Sequence, residues 1–148
     1  ITVWVAITDA TQDNGCLKVI PGKHKKMLPH CPKTQTAIAD GWINEADAKA
    51  LPVKAGSLVI LHPLIPHASL PNHTNGFRWS FDLRYNVTGQ PTGRSHFPDF
   101  IAYSQSQPER VLQDWKEWRG LWETARRKLS NGEHIPIHRW QSDAPFCA

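Results

Sequence analysis

The stretch HASLPNHTNGFR carries the side chains that a combined metal and anion site requires. His67 can bind Fe(II) or a similar metal as a neutral imidazole. The guanidinium of Arg78 can bind a carboxylate through two parallel hydrogen bonds, and the hydroxyl of Ser69 can add a third. A dicarboxylate that chelates a metal at one end could therefore be held here at its other end. As a bare pattern, however, a histidine near an arginine is more often a structural accident than a site.

The residues around this group predict how the side chains could meet. His67 and Ser69 share one face of a strand, because side chains two positions apart point the same way. Asn75-Gly76 is a strong hairpin signal, since both turn positions accept a positive φ. We expect this hairpin to join a strand that ends near Leu70 to the next strand. Arg78 would then lie beside the face that carries His67 and Ser69.

The pattern of the whole chain predicts a mainly β fold with one C-terminal helix. Apolar segments separated by turn formers predict strands over residues 2–8, 16–20, 57–61, 68–70 and 79–85. Residues 44–52 look like one or two helical turns. A capping box at residues 106–109 predicts a helix start, and Asn131-Gly132 predicts its end. We expect two parts, a core of residues 1–105 and a helix and tail of residues 106–148 that pack on it.

Two periodic patterns leave alternatives open. The helix has an apolar stripe that favours packing against a sheet over a ligand platform and comprises Val111, Trp115, Trp118, Trp122, Ala125 and Leu129. In residues 78–85 apolar and polar side chains alternate, so the polar face could lie in water or line an internal pocket. We expect Asp82 on that face to form ion pairs with Arg78 and Arg84 rather than to bind a metal.

Bulk properties exclude several classes of protein. The chain has 148 residues, is 40% hydrophobic and carries a net charge of +4, which suits one domain with a core. It has neither an apolar run of membrane-spanning length nor a secretory signal. Three cysteines without CxxC spacing argue against a disulfide framework and for a reducing compartment, so we expect a cytoplasmic protein. No nucleic-acid motif accompanies the basic residues, so neither nucleic acid nor a membrane is expected as a partner.

Three segments give a specific resemblance to a known family. VWVAITDATQDNGCLKVIPGKHK, AGSLVILHP and HPLIPHASLPNHTNGFRWSF resemble the phytanoyl-CoA dioxygenase family of Fe(II)- and 2-oxoglutarate-dependent oxygenases, over residues 1–86. The resemblance implies a double-stranded β-helix (jelly roll) with iron held by two histidines and one carboxylate. It implies that His67 is the distal iron ligand and that Arg78 binds the far carboxylate of 2-oxoglutarate. It further implies that Ser69 assists Arg78, that Trp4 packs near this co-substrate, and that His24 is structural.

One departure from the family pattern bears on activity. The family's other iron ligands form a His-x-Asp pair that would precede Ile1, and no such pair occurs in the chain. We therefore expect an N-terminally incomplete oxygenase domain that is inactive alone. Its intact form would use molecular oxygen to hydroxylate a small organic substrate. The alternatives are a non-catalytic jelly-roll binding domain that has lost its metal, or a metal-dependent cupin, which the absence of a His-x-His motif weakens.

Overall fold

The computed structural model describes residues 1–31, 37–92 and 97–132, in which strands precede a single long helix. In chain order the strands are β1 (Thr2–Ala6), β2 (Leu17–Val19), β3 (His30–Cys31), β4 (Ala37–Ile38), β5 (Lys49–Leu51), β6 (Leu58–Leu61), β7 (His67–Ser69) and β8 (Ser80–Arg84). Short 3-10 helices form at Glu45–Asp47 and Pro108–Arg110, and helix α1 covers Trp115–Asn131. The mainly β fold with a C-terminal helix is confirmed.

The strands of residues 1–85 form two three-stranded antiparallel sheets and one pair. The first sheet has the order β6-β1-β8, the second has the order β5-β2-β7, and β3 pairs with β4. From β5 onwards the chain crosses between the two large sheets at every connection. The predicted hairpin across Asn75-Gly76 is therefore wrong, because β7 and β8 belong to different sheets.

The register of the first sheet decides which face of β8 is turned inward. Trp4 of β1 pairs with Asp82, and Ala6 pairs with Ser80. Trp4 and Ala6 are buried in the core, which also contains Leu17 of the second sheet. The polar face of β8 is thus the face turned toward the second sheet, as the internal-pocket interpretation requires. Asp82 itself remains exposed to solvent.

The opposite face of the first sheet is apolar and open to solvent. Ile60 of β6 is 66% exposed and Phe81 of β8 is 60% exposed. The pairing of Ile60 with Val3 and of Phe81 with Val5 places all four side chains on this outer face. The first sheet therefore carries apolar side chains on both faces, because its inner face holds the buried Trp4, Ala6 and Leu61.

The C-terminal helix begins later than the capping box predicts. Residues 108–110 form only a 3-10 turn, and Gln107 before it makes no side-chain cap. Helix α1 begins at Trp115, where the Asp114 carboxylate accepts a hydrogen bond of 2.8 Å from the Lys116 amide. The predicted end at Asn131 is confirmed. Residues 1–85 form one compact unit and the described residues from 86 onwards lie in another, and packing of α1 on the core stays a prediction.

Three further predictions concern residues 44–52, the cysteines and membrane-spanning helices. The segment of residues 44–52 forms a 3-10 turn at Glu45–Asp47 and then strand β5, which the sequence did not predict. Cys16 is free and buried, whereas Cys31 is disulfide-bonded, which disagrees with the argument against disulfides drawn from the cysteine spacing. Within residues 1–31, 37–92 and 97–132, no helix combines the length and the apolar character that crossing a bilayer demands.

Candidate functional site

Arg78 connects the two large sheets through its guanidinium. Its Nη2 donates a hydrogen bond of 3.0 Å to the Oγ of Ser69 in β7, which belongs to the second sheet. Its Nη1 donates a hydrogen bond of 3.0 Å to the Oγ of Ser80 in β8, which belongs to the first sheet. One charged group is therefore held at both ends, by a hydroxyl from each sheet.

Trp4 forms the wall behind this guanidinium. The Cζ atom of Arg78 lies 5.2 Å from the centroid of the Trp4 ring, which is the distance of a cation–π contact. Only 3% of Trp4 is exposed, so the ring is fixed in the core and gives the guanidinium a rigid surface. The structure thus brings together Arg78, Ser69 and Trp4, three residues selected from the sequence.

Arg78 keeps unused hydrogen-bond donors. A guanidinium has five N–H groups, and the two serines accept from two of them. None of the remaining three donates to a residue in the part of the chain that the structure describes, and no carboxylate there pairs with Arg78. Because each serine oxygen already accepts from Arg78, each hydroxyl hydrogen is available to a ligand. A half-buried cation with free donors is suited to binding an anion.

His67 lies two residues before Ser69 in β7 and is exposed. Its Nδ1 is 2.9 Å from the carbonyl oxygen of Ile65. A carbonyl oxygen can only accept, so Nδ1 carries the hydrogen, and in the neutral ring the lone pair is on Nε2. Hydrogen bonding of this kind fixes the tautomer of metal-binding histidines. His67 therefore presents one nitrogen that can bind a metal.

A complete iron site is not formed by these residues. Within the described ranges, no group of three His, Cys, Asp or Glu side chains lies close enough to hold a metal ion. Asp82, which pairs with Trp4 across the sheet, makes no ion pair with a described residue, so its predicted pairing with Arg78 and Arg84 is wrong. The described residues supply one imidazole, that of His67, and the neighbouring anion site at Arg78.

The loop between Ser69 and Arg78 is ordered mainly by Asn72. The Asn72 Oδ1 accepts hydrogen bonds from the amide and the hydroxyl of Thr74, each 2.8 Å long. Its Nδ2 donates to the carbonyl of Gly76 at 2.9 Å. An isolated bridge between Asn14 and Asn72 ties the loop to the turn before β2. The Asn72 side chain thus bonds to backbone groups of the loop that would otherwise lack partners, which fixes the loop conformation. The loop conformation in turn determines how closely Arg78 approaches Ser69.

His24 and His62 form a separate pair of histidines. The rings of His24 and His62 are in contact, with centroids 5.1 Å apart, and both residues are exposed. The Nδ1 of His62 accepts a hydrogen bond of 3.2 Å from the Leu64 amide, which uses the lone pair that a metal would need there. His96, His134 and His138 lie outside the described residues.

Ser80 is the site residue that the sequence did not single out. Its signal is present in the alternation of β8, because Ser80 lies two positions after Arg78 and therefore on the same face. A serine on a strand is common, so only the contact with Nη1 of Arg78 distinguishes it.

Comparisons with known proteins identify relatives of this chain. The family model for Phytanoyl-CoA dioxygenase (PhyH) matches residues 1–80, which include every residue of the group described above. The peroxisomal phytanoyl-CoA dioxygenase of Mus musculus is 36% identical, over 93% of this chain and 44% of its own length. The human enzyme of that name is 31% identical, over 76% of this chain and 34% of its own length.

Two further similarities concern bacterial proteins. Methylphosphonate hydroxylase of Gimesia maris is 30% identical, over 66% of this chain and 37% of its own length. The crystal structure of EvdO2 from Micromonospora carbonacea var. aurantiaca complexed with 2-oxoglutarate has a TM-score of 0.48 and 25% identity, covering 61% of this chain and 40% of that protein. The chain thus spans less than half the length of each of these relatives.

Proposed function

Because the chain belongs to the phytanoyl-CoA dioxygenase family, we propose that it forms the co-substrate-binding part of an Fe(II)- and 2-oxoglutarate-dependent dioxygenase. The observation that carries this proposal is the unpaired guanidinium of Arg78, held between Ser69 and Ser80 over Trp4. The whole protein would consume molecular oxygen and hydroxylate a small organic substrate. Two antiparallel sheets, with a chain that crosses repeatedly between them, support a jelly-roll core.

The anion site suits one end of 2-oxoglutarate. This co-substrate has two carboxylates, and a carboxylate accepts hydrogen bonds at both oxygens. The free N–H groups of Arg78 can donate to both, and the hydroxyl of Ser69 can donate a further bond. Trp4 would exclude water from one side of the pair, which strengthens the attraction between the charges.

The described residues do not form an iron site by themselves. They supply the imidazole of His67, whose Nε2 is free, and no second and third ligand beside it. We therefore derive no reaction step through iron. We propose that a complete site needs ligands from outside the described residues and that residues 1–148 alone do not turn over.

A binding experiment on the chain tests the role of Arg78. Isothermal titration with 2-oxoglutarate should show saturable binding by the wild-type chain and at least roughly tenfold weaker binding by Arg78→Ala, since a bond to a charged group is lost. Arg84→Ala is the matched control, because Arg84 is an arginine at the end of β8 that, like Arg78, forms no ion pair with a described residue. Equal affinity of Arg78→Ala and the wild type would refute the assignment.

Turnover by the whole protein distinguishes the main alternative. A non-catalytic jelly-roll domain would bind the dicarboxylate through Arg78 and produce no succinate, whatever metal is added. An oxygenase supplied with Fe(II) should convert 2-oxoglutarate to succinate. If Arg78→Ala loses succinate production and Arg84→Ala keeps it, the anion site at Arg78 is required for the reaction.

A further inference from the structure

We propose that Ser80 is a positioning residue that makes the Arg78 site selective for planar carboxylates over spherical anions. The inference rests on the proposed function, because it concerns the same anion site. It starts from the one contact at this site that the sequence did not indicate, the bond of 3.0 Å from Nη1 of Arg78 to Oγ of Ser80.

Ser80 lies on the inner face of the first sheet, and strand pairing fixes its backbone. Ser80 is the first residue of β8 and pairs with Ala6, of which only 2% is exposed. Ser80 itself is half-buried, whereas Ser69 is exposed at the end of β7. The Ser80 hydroxyl is thus on the more buried of the two serines that bind Arg78.

Two bonds at opposite ends of a guanidinium define its orientation. Contact with the Trp4 ring holds the group against a surface but allows it to turn over that surface. The bond from Nη2 to Ser69 leaves rotation about that one contact. The second bond, from Nη1 to Ser80, stops this rotation. The fold itself thus bears the entropy cost of fixing the Arg78 side chain before any ligand binds. Without this, the ligand would have to overcome that cost on binding.

A fixed orientation matters for some anions and not for others. A carboxylate is planar and gains two parallel hydrogen bonds only when the guanidinium lies in its plane. A spherical anion such as bromide has no preferred plane, so rotation of the guanidinium changes its binding little. Loss of the Ser80 hydroxyl should therefore lower carboxylate affinity selectively. General damage to the fold would lower the affinity for both anions.

The test compares 2-oxoglutarate and bromide on the same variants. Side-chain NMR signals of Arg78, identified by their absence in Arg78→Lys, report binding of each anion. We expect Ser80→Ala to bind 2-oxoglutarate about three- to tenfold more weakly, as for loss of one charged hydrogen bond in a partly exposed site. Its bromide affinity should be unchanged. Ser80→Thr, which keeps the hydroxyl, should restore carboxylate binding.

A second readout does not require any ligand. A guanidinium held at both ends rotates slowly about its Nε–Cζ bond and gives separate Nη1 and Nη2 signals. Ser80→Ala should bring these signals toward coalescence, and Ser80→Thr should not. Ser130→Ala is the control for loss of a hydroxyl, because the Ser130 hydroxyl donates to the carbonyl of Arg127 within α1 and contacts no described residue of the anion site.

The outcomes separate this inference from the proposed function. If Ser80→Ala binds 2-oxoglutarate as well as the wild type, or loses bromide and 2-oxoglutarate in equal measure, the role of Ser80 is refuted and that of Arg78 stands. If the wild-type chain does not bind 2-oxoglutarate at all, the proposed function fails and this inference fails with it.

Discussion

Gly15 lies so close to Leu70 that a β-carbon at position 15 would be 2.7 Å from the Leu70 carbonyl oxygen. Leu70 follows Ser69 directly, and its amide donates a hydrogen bond of 2.9 Å to the carbonyl of Cys16. The end of β7, which presents His67 and Ser69, is therefore held against the start of β2 at a distance that only glycine permits. The anion site depends on this approach of two backbones.

Gly15→Ala should consequently destabilise the protein by more than the cost of placing alanine at a positive φ. Gly15 and Gly22 both have positive φ, 87° and 77°, but nothing lies within 4 Å of a β-carbon at Gly22. Gly22→Ala should cost about 1–2 kcal/mol, the usual cost of a left-handed alanine. Gly15→Ala should cost at least about 2 kcal/mol more, because a clash with backbone is added. Urea unfolding measures both, and equal losses would contradict the close approach.

The contact between Arg78 and Trp4 should appear as a coupling energy. In a double-mutant cycle with Trp4→Leu and Arg78→Met, we expect a coupling of about 0.5–2 kcal/mol in the free energy of unfolding. Lys26 and Trp42 provide a control cycle, since the Lys26 ammonium lies 5.8 Å from a Trp42 ring that is 45% exposed. That cycle should give about 0.5 kcal/mol or less, as water competes for the charge. A larger coupling in the control would show that burial of Trp4 adds nothing.

His67 should be the first histidine to bind a paramagnetic metal. Titration with Co(II) should broaden NMR signals around β7 before those around His62, because Nε2 of His67 is free and its Nδ1 is held by Ile65. His67→Gln should abolish the early broadening and His62→Gln should leave it intact. Initial broadening around His24 and His62 would mean that the exposed pair, rather than β7, is the stronger metal-binding feature.

Asp9 should contribute stability that is lost in acid. The Ala55 amide, donating to Oδ1 at 2.8 Å, lowers the pKa of Asp9 below its ordinary value of 3.8, and Lys54 at 2.9 Å from Oδ2 lowers it further. A lowered pKa in the folded state means that the charged form stabilises the fold above pH 3.8 and that this contribution disappears as the pH falls through the lowered pKa. Asp9→Asn should remove this part of the pH dependence.

A comparison of variants identifies the cause. Lys54→Met should remove less of the acid sensitivity than Asp9→Asn, because the backbone bond from Ala55 is the larger influence on the Asp9 pKa. The measurement is the thermal midpoint between pH 7 and pH 2.5 for the wild type and both variants. A wild type and Asp9→Asn that lose stability in parallel would show that Asp9 has no such role.

The sequence predicted the elements of the site better than their connections. Alternation in residues 79–85 places Ser80 and Asp82 on one face, as β8 shows. The Asn75-Gly76 signal, by contrast, predicted a hairpin that does not form. A local turn signal indicates that the chain reverses but not which sheet receives the next strand, since that depends on residues far along the chain such as Trp4.

The boundaries of short elements were the least predictable. The capping box at residues 106–109 gave only a 3-10 turn, in which Gln107 makes no side-chain cap. Asp114 caps the α-helix instead, because its carboxylate accepts a hydrogen bond from the Lys116 amide. Strand β5 has only three residues, too few for an alternating pattern to be recognised. The roles of His67, Ser69, Arg78 and Trp4 remain predictions, since geometry brings residues together without showing what they bind.

The position of Arg78 between the sheets has a consequence for finding ligands. An anion bound there would attach to groups from both sheets, so it could bind only while the sheets are packed together. Unfolding would then release the anion. Mass action therefore raises the free energy of unfolding by about 1.4 kcal/mol for each tenfold excess of ligand over Kd, and the melting temperature rises with it. A thermal-shift screen of organic anions would therefore rank candidate co-substrates of this chain without any assay of turnover.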